Sequence, residues 1–206
     1  MIKILLAGEG PNELGKWARD PSYRGNYENG VVEELLKKVC DRGWEVVDGV
    51  SWKKIRKYKR GGRKDAEMKN VMGLAEVAKE KGCDVLVFVR DRDGTRSKKN
   101  IEREESIRRG IEAANKSPGC PGIVGGMAVK MLESWLLALR GRTDSEKITD
   151  PKSELEKMEV EMNTAGYVDL VKRADLDLLP RDAGSLKEWL KTAEAVLSVL
   201  TADLKS

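Results

Sequence analysis

The sequence predicts an α/β fold in which a mainly parallel, four-stranded sheet is flanked by helices. Two short apolar runs, residues 2–7 (IKILLA) and 84–89 (DVLVFV), end in turn residues, as buried strands of a parallel sheet do. Stretches with helical spacing lie between such runs, which is the alternation typical of parallel sheets. Beyond Gly141 only helical patterns follow. We therefore expect an α/β domain over residues 1–141 and a helical extension over residues 142–206 that packs on it.

The strands and helices are predicted in chain order from apolar spacing and turn residues. The predicted strands are residues 2–7, 44–50, 84–89 and 122–125. The predicted helices are residues 31–40, 64–81, 97–115 and 128–139 and, in the extension, 151–161, 166–174 and 186–204. Gly43 and Gly82 each follow a predicted helix, the position at which glycine commonly ends one. Trp135 and Trp189 lie at helical spacing with other apolar residues, so we expect them in the core.

The composition excludes several kinds of chemistry. The 206-residue chain contains no histidine, which rules out Ser-His-Asp and Cys-His catalysis and zinc sites built on histidine. Cys40, Cys83 and Cys120 lie far apart, as in proteins of a reducing compartment. The first apolar run is too short for a signal peptide, and no stretch approaches the length of a transmembrane helix. We therefore expect a soluble cytoplasmic protein whose chemistry relies on carboxylates, other polar side chains or a metal.

An acidic loop follows the first predicted strand. Residues 8–13 (GEGPNE) place Glu9 directly beyond the strand end, and Gly10 allows the backbone to approach a ligand closely. Ligands of open parallel sheets bind beyond the carboxyl ends of the strands. The loop matches neither a dinucleotide-binding fingerprint nor a P-loop. The alternative is an ordinary strand-to-helix turn, with Asn12 as the helix cap and Glu13 in the first helical turn.

Two aspartates follow the third predicted strand. Asp91 and Asp93 are two residues apart, so in extended backbone both carboxylates face the same side. Together with Glu9 they predict a site for Mg²⁺ or Mn²⁺, because hard cations take oxygen ligands. The alternative is a charged turn in which Arg90 and Arg92 neutralise the aspartates.

The two acidic motifs, in this order and at strand ends, resemble the toprim domain, the catalytic domain of topoisomerases, bacterial primases and OLD nucleases. Residues 9–13 (EGPNE) are similar to the Glu-Gly-Pro-x-Glu loop of those nucleases. The similarity in order and spacing covers roughly the first 140 residues. The resemblance implies a Rossmann-like toprim fold in which Glu9 is a general acid/base or metal ligand. It also implies that Asp91 and Asp93 bind Mg²⁺ and that Glu13 is a further ligand.

A helix after the fourth predicted strand extends the resemblance. Residues 131–137 (MLESWLL) are similar to a helix of small toprim-like proteins, some of which are encoded beside ATPases in phage-defence loci. Glu133 is the only acidic residue of this predicted helix, and a buried carboxylate needs a partner or a metal. We therefore expect Glu133 to complete the metal site. The alternative is a surface glutamate paired with Lys130 or Arg140.

A basic segment, residues 51–64 (SWKKIRKYKRGGRK), follows the second predicted strand. It contains no acidic residue, and Trp52 and Tyr58 stand among its cations. Cations bind phosphates and aromatic rings stack on unpaired bases, so we expect this segment to bind nucleic acid. The expected contacts are Lys53, Lys54, Arg56, Lys57, Lys59, Arg60, Arg63 and Lys64. The alternative is a solvated loop that aids solubility.

These expectations combine into a metal-dependent nuclease of toprim type that acts on DNA or RNA. The resemblance implies a role in phage defence or nucleic-acid processing, an ATPase partner and no association with a membrane. One alternative is a non-catalytic module that binds nucleic acid or an ATPase. Another is a toprim nucleotidyl or phosphoryl transferase.

Replacing four cations of the basic segment with alanine should weaken nucleic-acid binding and flatten its salt dependence. Each lost phosphate contact removes a counterion-release contribution, so the slope of log affinity against log salt should fall by roughly 3 to 4 for duplex DNA. Fluorescence anisotropy of a labelled oligonucleotide measures the slope. The replaced residues are Lys53, Lys54, Arg56 and Lys57. The control carries alanine at Lys157, Lys172, Lys187 and Lys191 in the extension. An unchanged slope in the first variant would place the nucleic acid elsewhere.

Overall fold

The sheet consists of parallel strands. The computed structural model describes residues 1–18, 29–55, 65–92 and 98–203. Within these residues the strands are β1 (Ile2–Gly8), β2 (Trp44–Ser51), β3 (Val85–Asp91) and β4 (Gly122–Ala128). They form one four-stranded sheet in the order β2-β1-β3-β4, and every neighbouring pair is parallel. The α/β class and the parallel sheet predicted from the sequence are confirmed.

Helices cover both faces of this sheet. In the described part of the chain they are α1 (Pro11–Leu14), α2 (Val31–Val39), α3 (Ala66–Glu80), α4 (Lys98–Asn115), α5 (Leu132–Leu139), α6 (Pro151–Lys157), α7 (Thr164–Arg173) and α8 (Gly184–Asp203). One face packs against α3 and α4, and the other packs against α2, α5, α7 and α8. No described helix is both long and apolar enough to cross a membrane.

Strand β1 shows why the sequences of the central strands are continuous apolar runs. Ile4 and Leu6 belong to the core on one face, whereas Leu5 and Ala7 belong to the core on the other. All four side chains are fully buried. A parallel sheet covered on both faces needs apolar residues at every position of its central strands.

The helices beyond Gly141 share the core of the sheet. Trp189 of α8 is almost fully buried, and its ring lies 5.8 Å from the ring of Trp135 in α5. The Trp189 indole N–H donates to the carbonyl of Phe88 in β3 at 3.1 Å. Both tryptophans therefore belong to the core, as predicted. The extension packs directly on the sheet that carries the acidic residues.

Strand β4 is longer than predicted, and the helix after it is shorter. The predicted strand ended at Gly125 and the predicted helix began at Ala128. In the structure Ala128 still pairs with Asp91 of β3, so the helix begins only at Leu132. Gly125 lies within the strand, and the ring of Phe88 occupies the space that a side chain at this position would need. A Cβ atom at Gly125 would lie 2.1 Å from that ring.

The strand order reverses between β1 and β3. The chain moves from β1 outward to β2, and then crosses back to β3 and outward to β4 on the other side. The connections that leave β1 and β3 therefore diverge and open a crevice at the carboxyl ends of these two strands. Open parallel sheets bind their ligands in such a crevice.

Candidate metal site

Glu9 and Asp91 meet at this crevice. Glu9 follows the last residue of β1, and Asp91 is the last residue of β3. The backbone N–H of Asp91 donates to Oε1 of Glu9 at 3.1 Å. The structure thus places the Glu9 carboxylate against the backbone of Asp91, so these two predicted ligands are neighbours across β1 and β3. Asp93, the third predicted ligand at this edge, lies outside the described residues.

Arg90 binds the Glu9 carboxylate. Its Nη1 forms an ion pair with Oε1 of Glu9, and its Nη2 lies 3.5 Å from Oε1 of Glu67 in α3. The guanidinium carbon lies 5.7 Å from the ring centre of Trp52, within the range of a cation–π contact. The Arg90 side chain is only 12% exposed, so this positive charge is held largely away from water. The charge opposite Glu9 is therefore a half-buried arginine.

Asp91 also has a structural contact. Its Oδ1 accepts a hydrogen bond from the backbone N–H of Leu132, the first residue of α5, at 2.8 Å. A carboxylate at a helix N-terminus satisfies an otherwise unpaired donor and faces the positive end of the helix dipole. The next residue, Arg92, donates its backbone N–H to the carbonyl of Ala128 at 3.0 Å. These two bonds fix the end of β3 against the turn that joins β4 to α5.

Glu13 and Glu133 form a second, buried pair of carboxylates. Oε2 of Glu13 accepts the backbone N–H of Gly10 at 2.8 Å, which closes the turn that carries Glu9. Glu133 accepts the hydroxyl of Tyr167 at 3.1 Å, and Lys152 lies 3.7 Å from the same oxygen. Both glutamates are less than one-tenth exposed. The alternative that Glu133 is a surface glutamate paired with Lys130 or Arg140 is therefore wrong.

Burial perturbs the pKa of Glu13. It raises the pKa of Glu13 from 4.5 to about 6, and the nearby charge of Glu133 raises it further, against the lowering effect of the Gly10 hydrogen bond. Burial also raises the pKa of Tyr167, and Glu133 adds to that increase. Tyr167 therefore stays protonated as a hydrogen-bond donor to Glu133.

Helix α7 connects the extension to the acidic loop. The hydroxyl of Thr164, at the start of α7, donates to Oδ1 of Asn12 at 2.9 Å. Tyr167, one turn later, reaches Glu133. Asn12 and Glu133 therefore both contact α7, so the extension holds the loop after β1 in place.

Among the predicted site residues, Glu9 contacts the backbone of Asp91. The charge of Glu133 acts on the nearby Glu13, and both of these glutamates are buried. In residues 1–18, 29–55, 65–92 and 98–203, no three acidic or cysteine side chains gather closely enough to hold a metal ion. A larger cluster would need a residue outside these ranges.

Only the start of the basic segment is described. Lys53 and Lys54 lie in a short 3₁₀ helix beyond β2 and are exposed. Trp52 is buried, packs 5.5 Å from the ring of Phe88 and donates its indole N–H to Glu67. Trp52 is therefore not available to stack on a base, contrary to the expectation from its place among cations. The other predicted contacts, Arg56, Lys57, Lys59, Arg60, Arg63 and Lys64, lie outside the described residues.

The structure adds residues that the sequence did not single out. Glu67 and Arg103 lie beside Arg90 and form an ion pair of 3.4 Å with each other. Lys130, in the turn between β4 and α5, is buried and has left-handed backbone with φ of 73°. No described residue forms a hydrogen bond or ion pair with its ammonium group. None of these residues belongs to a recognisable motif, because their neighbours come from distant parts of the chain.

Comparison of the chain with models of protein families, with curated proteins and with solved structures finds no match.

Glu13→Gln should reduce the dependence of the free energy of unfolding on pH. The folded pKa of Glu13 is raised from 4.5 to about 6, so the folded protein binds this proton more tightly than the unfolded chain does. The resulting stabilisation is fully present below pH 4.5 and is lost as the pH rises through about 6. The loss amounts to about 2 kcal/mol.

Urea unfolding in EDTA, repeated from about pH 4 to about pH 8, measures this effect. The stability of the variant relative to wild type should rise by about 2 kcal/mol across that range. Glu45→Gln, which replaces an exposed glutamate of β2, is the control and should follow wild type. Parallel curves for Glu13→Gln and wild type would show that the folded protein does not perturb Glu13.

Proposed function

We propose that this protein is a metal-dependent nuclease of toprim type that hydrolyses phosphodiester bonds of DNA or RNA and uses Mg²⁺ or Mn²⁺. The observation that carries the proposal is the meeting of Glu9 and Asp91 at the carboxyl ends of β1 and β3, where the strand order reverses. This is the crevice in which parallel sheets bind ligands. The order of the acidic residues also agrees with the resemblance of the sequence to toprim nucleases.

The donor set at this position fits a hard divalent cation. Carboxylate oxygens are the ligands that Mg²⁺ prefers, and one or two protein carboxylates commonly hold it together with substrate phosphates. In the protein alone, Arg90 supplies the positive charge that compensates the Glu9 carboxylate. We assign Glu9, Asp91 and Asp93 as the residues that would hold the cation. The contacts of Glu13 and Glu133 support the loop that carries Glu9, and a ligand role for these two remains part of the proposal.

A divalent cation at this position would polarise the phosphate and neutralise charge that develops on it during hydrolysis. Glu9 would hold or accept the proton of the attacking water, a role that suits a carboxylate beside the reacting phosphate. The basic segment would hold the nucleic-acid backbone through its lysines and arginines. Lys130 would offer a further positive charge at the same edge of the sheet.

The resemblance to small toprim-like proteins also suggests a cellular role and a partner for this protein. It supports a cytoplasmic role in phage defence or nucleic-acid processing, together with an ATPase encoded nearby. Co-purification of this protein with the product of a neighbouring ATPase gene would test that partnership.

A second candidate function is a non-catalytic module that binds nucleic acid or an ATPase. One observation favours it. Glu9 pairs with Arg90 and Asp91 caps α5, so both acidic side chains have structural partners in the folded protein. In this second candidate the acidic residues hold the edge of the sheet together, and their charge has no part in any reaction.

Glu9→Gln should reduce cleavage by on the order of a hundredfold or more, the range typical of losing a general acid or base. Glutamine can still accept the backbone N–H of Asp91, but it cannot form the ion pair with Arg90. Circular dichroism should therefore accompany each assay to establish that the variant is folded. The assay follows cleavage of labelled single-stranded and duplex DNA and RNA with Mg²⁺ or Mn²⁺.

Wild-type cleavage should stop when EDTA is added, and Glu45→Gln should cleave as wild type does. Cleavage by Glu9→Gln at the wild-type rate would contradict the assigned role of Glu9. No metal-dependent cleavage by folded wild type, alone or with a neighbouring ATPase, would favour the non-catalytic module.

A further inference from the structure

Glu67 is a carboxylate on which several donors converge. It lies in the first turn of α3, and its side chain is only 15% exposed. Its Oε2 accepts the indole N–H of Trp52 at 2.9 Å and the amide of Asn70 at 3.3 Å. Its Oε1 lies 3.5 Å from Arg90 and 3.4 Å from Arg103. One half-buried carboxylate therefore faces two guanidinium groups.

Arg90 lies between Glu67 and Glu9. It forms an ion pair with each of them, through Nη2 and Nη1 respectively. An arginine stays charged in proteins, so Arg90 cannot leave Glu9 by losing its proton. A divalent cation that binds Glu9 must therefore compete with a permanent positive charge, and Arg90 must shift or share the carboxylate.

We propose that Glu67 is a positioning residue that receives Arg90 when a divalent cation binds Glu9. This inference rests on the proposed metal site. A guanidinium that is 12% exposed needs a carboxylate partner, because an uncompensated buried charge is costly. Oε1 of Glu67 already lies 3.5 Å from Nη2 of Arg90. A small movement of the guanidinium would therefore transfer Arg90 from Glu9 to Glu67, and we call this transfer the exchange. Without Glu67, Arg90 would hold Glu9 more firmly and the cation would bind more weakly.

The exchange has a spectroscopic reporter in Trp52. Its indole N–H donates to Glu67, and its ring lies against the guanidinium of Arg90. Trp52 also lies near the start of the basic segment. Glu67 therefore contacts both this part of the segment and Arg90, the partner of Glu9. Movement of Arg90 toward Glu67 should change the chemical environment of this indole N–H.

A double-mutant cycle with Mn²⁺ tests the proposal. Electron paramagnetic resonance measures free Mn²⁺, and hence affinity, for wild type, Arg90→Gln, Glu67→Gln and the double variant. Glu67→Gln should weaken Mn²⁺ binding by about tenfold, a factor typical of coupling between sites. Arg90→Gln should tighten it, because the competing cation is gone. In the Arg90→Gln background, Glu67→Gln should change the affinity by less than about twofold.

The control is Asp65→Asn, which removes one negative charge at the start of the same helix. Asp65 pairs with Arg109 at 2.8 Å and not with Arg90. Its replacement should change the affinity equally with and without Arg90, since it acts only through space. If Glu67→Gln also weakens binding by the same factor in both backgrounds, the loss of a negative charge near the site explains the effect. The proposed transfer of Arg90 from Glu9 to Glu67 is then wrong.

The indole chemical shift of Trp52 complements the affinities measured in the cycle. In ¹⁵N spectra of wild type, Mg²⁺ should shift the indole signal of Trp52, which Trp52→Phe identifies. The same signal should stay in place when Mg²⁺ is added to Arg90→Gln. An unmoved signal in wild type that has bound the metal would overturn the exchange. A wild type that binds neither Mn²⁺ nor Mg²⁺ would overturn the proposed metal site itself, which keeps the two failures distinct.

Discussion

The reversal of strand order between β1 and β3 determines where the charged residues of this protein meet. These two strands are neighbours in the sheet, but the chain leaves them in opposite directions. Their carboxyl ends are therefore side by side and are not covered by a shared connection. Glu9 and Asp91 occupy these two ends and come within hydrogen-bond distance of each other. Arg90, Glu67 and Trp52 lie around this point.

Charge compensation explains the contacts at this edge. Three acidic side chains here have a donor or a cation: Arg90 for Glu9, the α5 N-terminus for Asp91, and Tyr167 with Lys152 for Glu133. Such pairing is what burial of charge requires. The extension supplies two of these partners, so it contributes to the site as well as to the core. A divalent cation that bound at this edge would compensate the charge of Glu9, which Arg90 does in the protein alone.

The sequence predicted the sheet because buried parallel strands appear as short apolar runs, and it predicted the nearness of Glu9 and Asp91 because both follow such runs. It did not predict the length of β4, since Gly125 looked like a strand end and instead makes room for Phe88. Trp52 looked like a base-stacking residue but is buried. Glu67 carries no motif, because its partners come from the end of β2, from β3 and from α4, and only tertiary packing brings them together.

The central claim is that Glu9 and Asp91 hold a divalent cation. Anomalous diffraction from crystals grown with Mn²⁺ tests it most directly, because the anomalous signal identifies the ion and its position. The account predicts a peak in contact with carboxylate oxygens of both Glu9 and Asp91, with the Arg90 guanidinium displaced from Glu9. A map with no peak at these residues, in which Arg90 still pairs with Glu9 at saturating Mn²⁺, would contradict it.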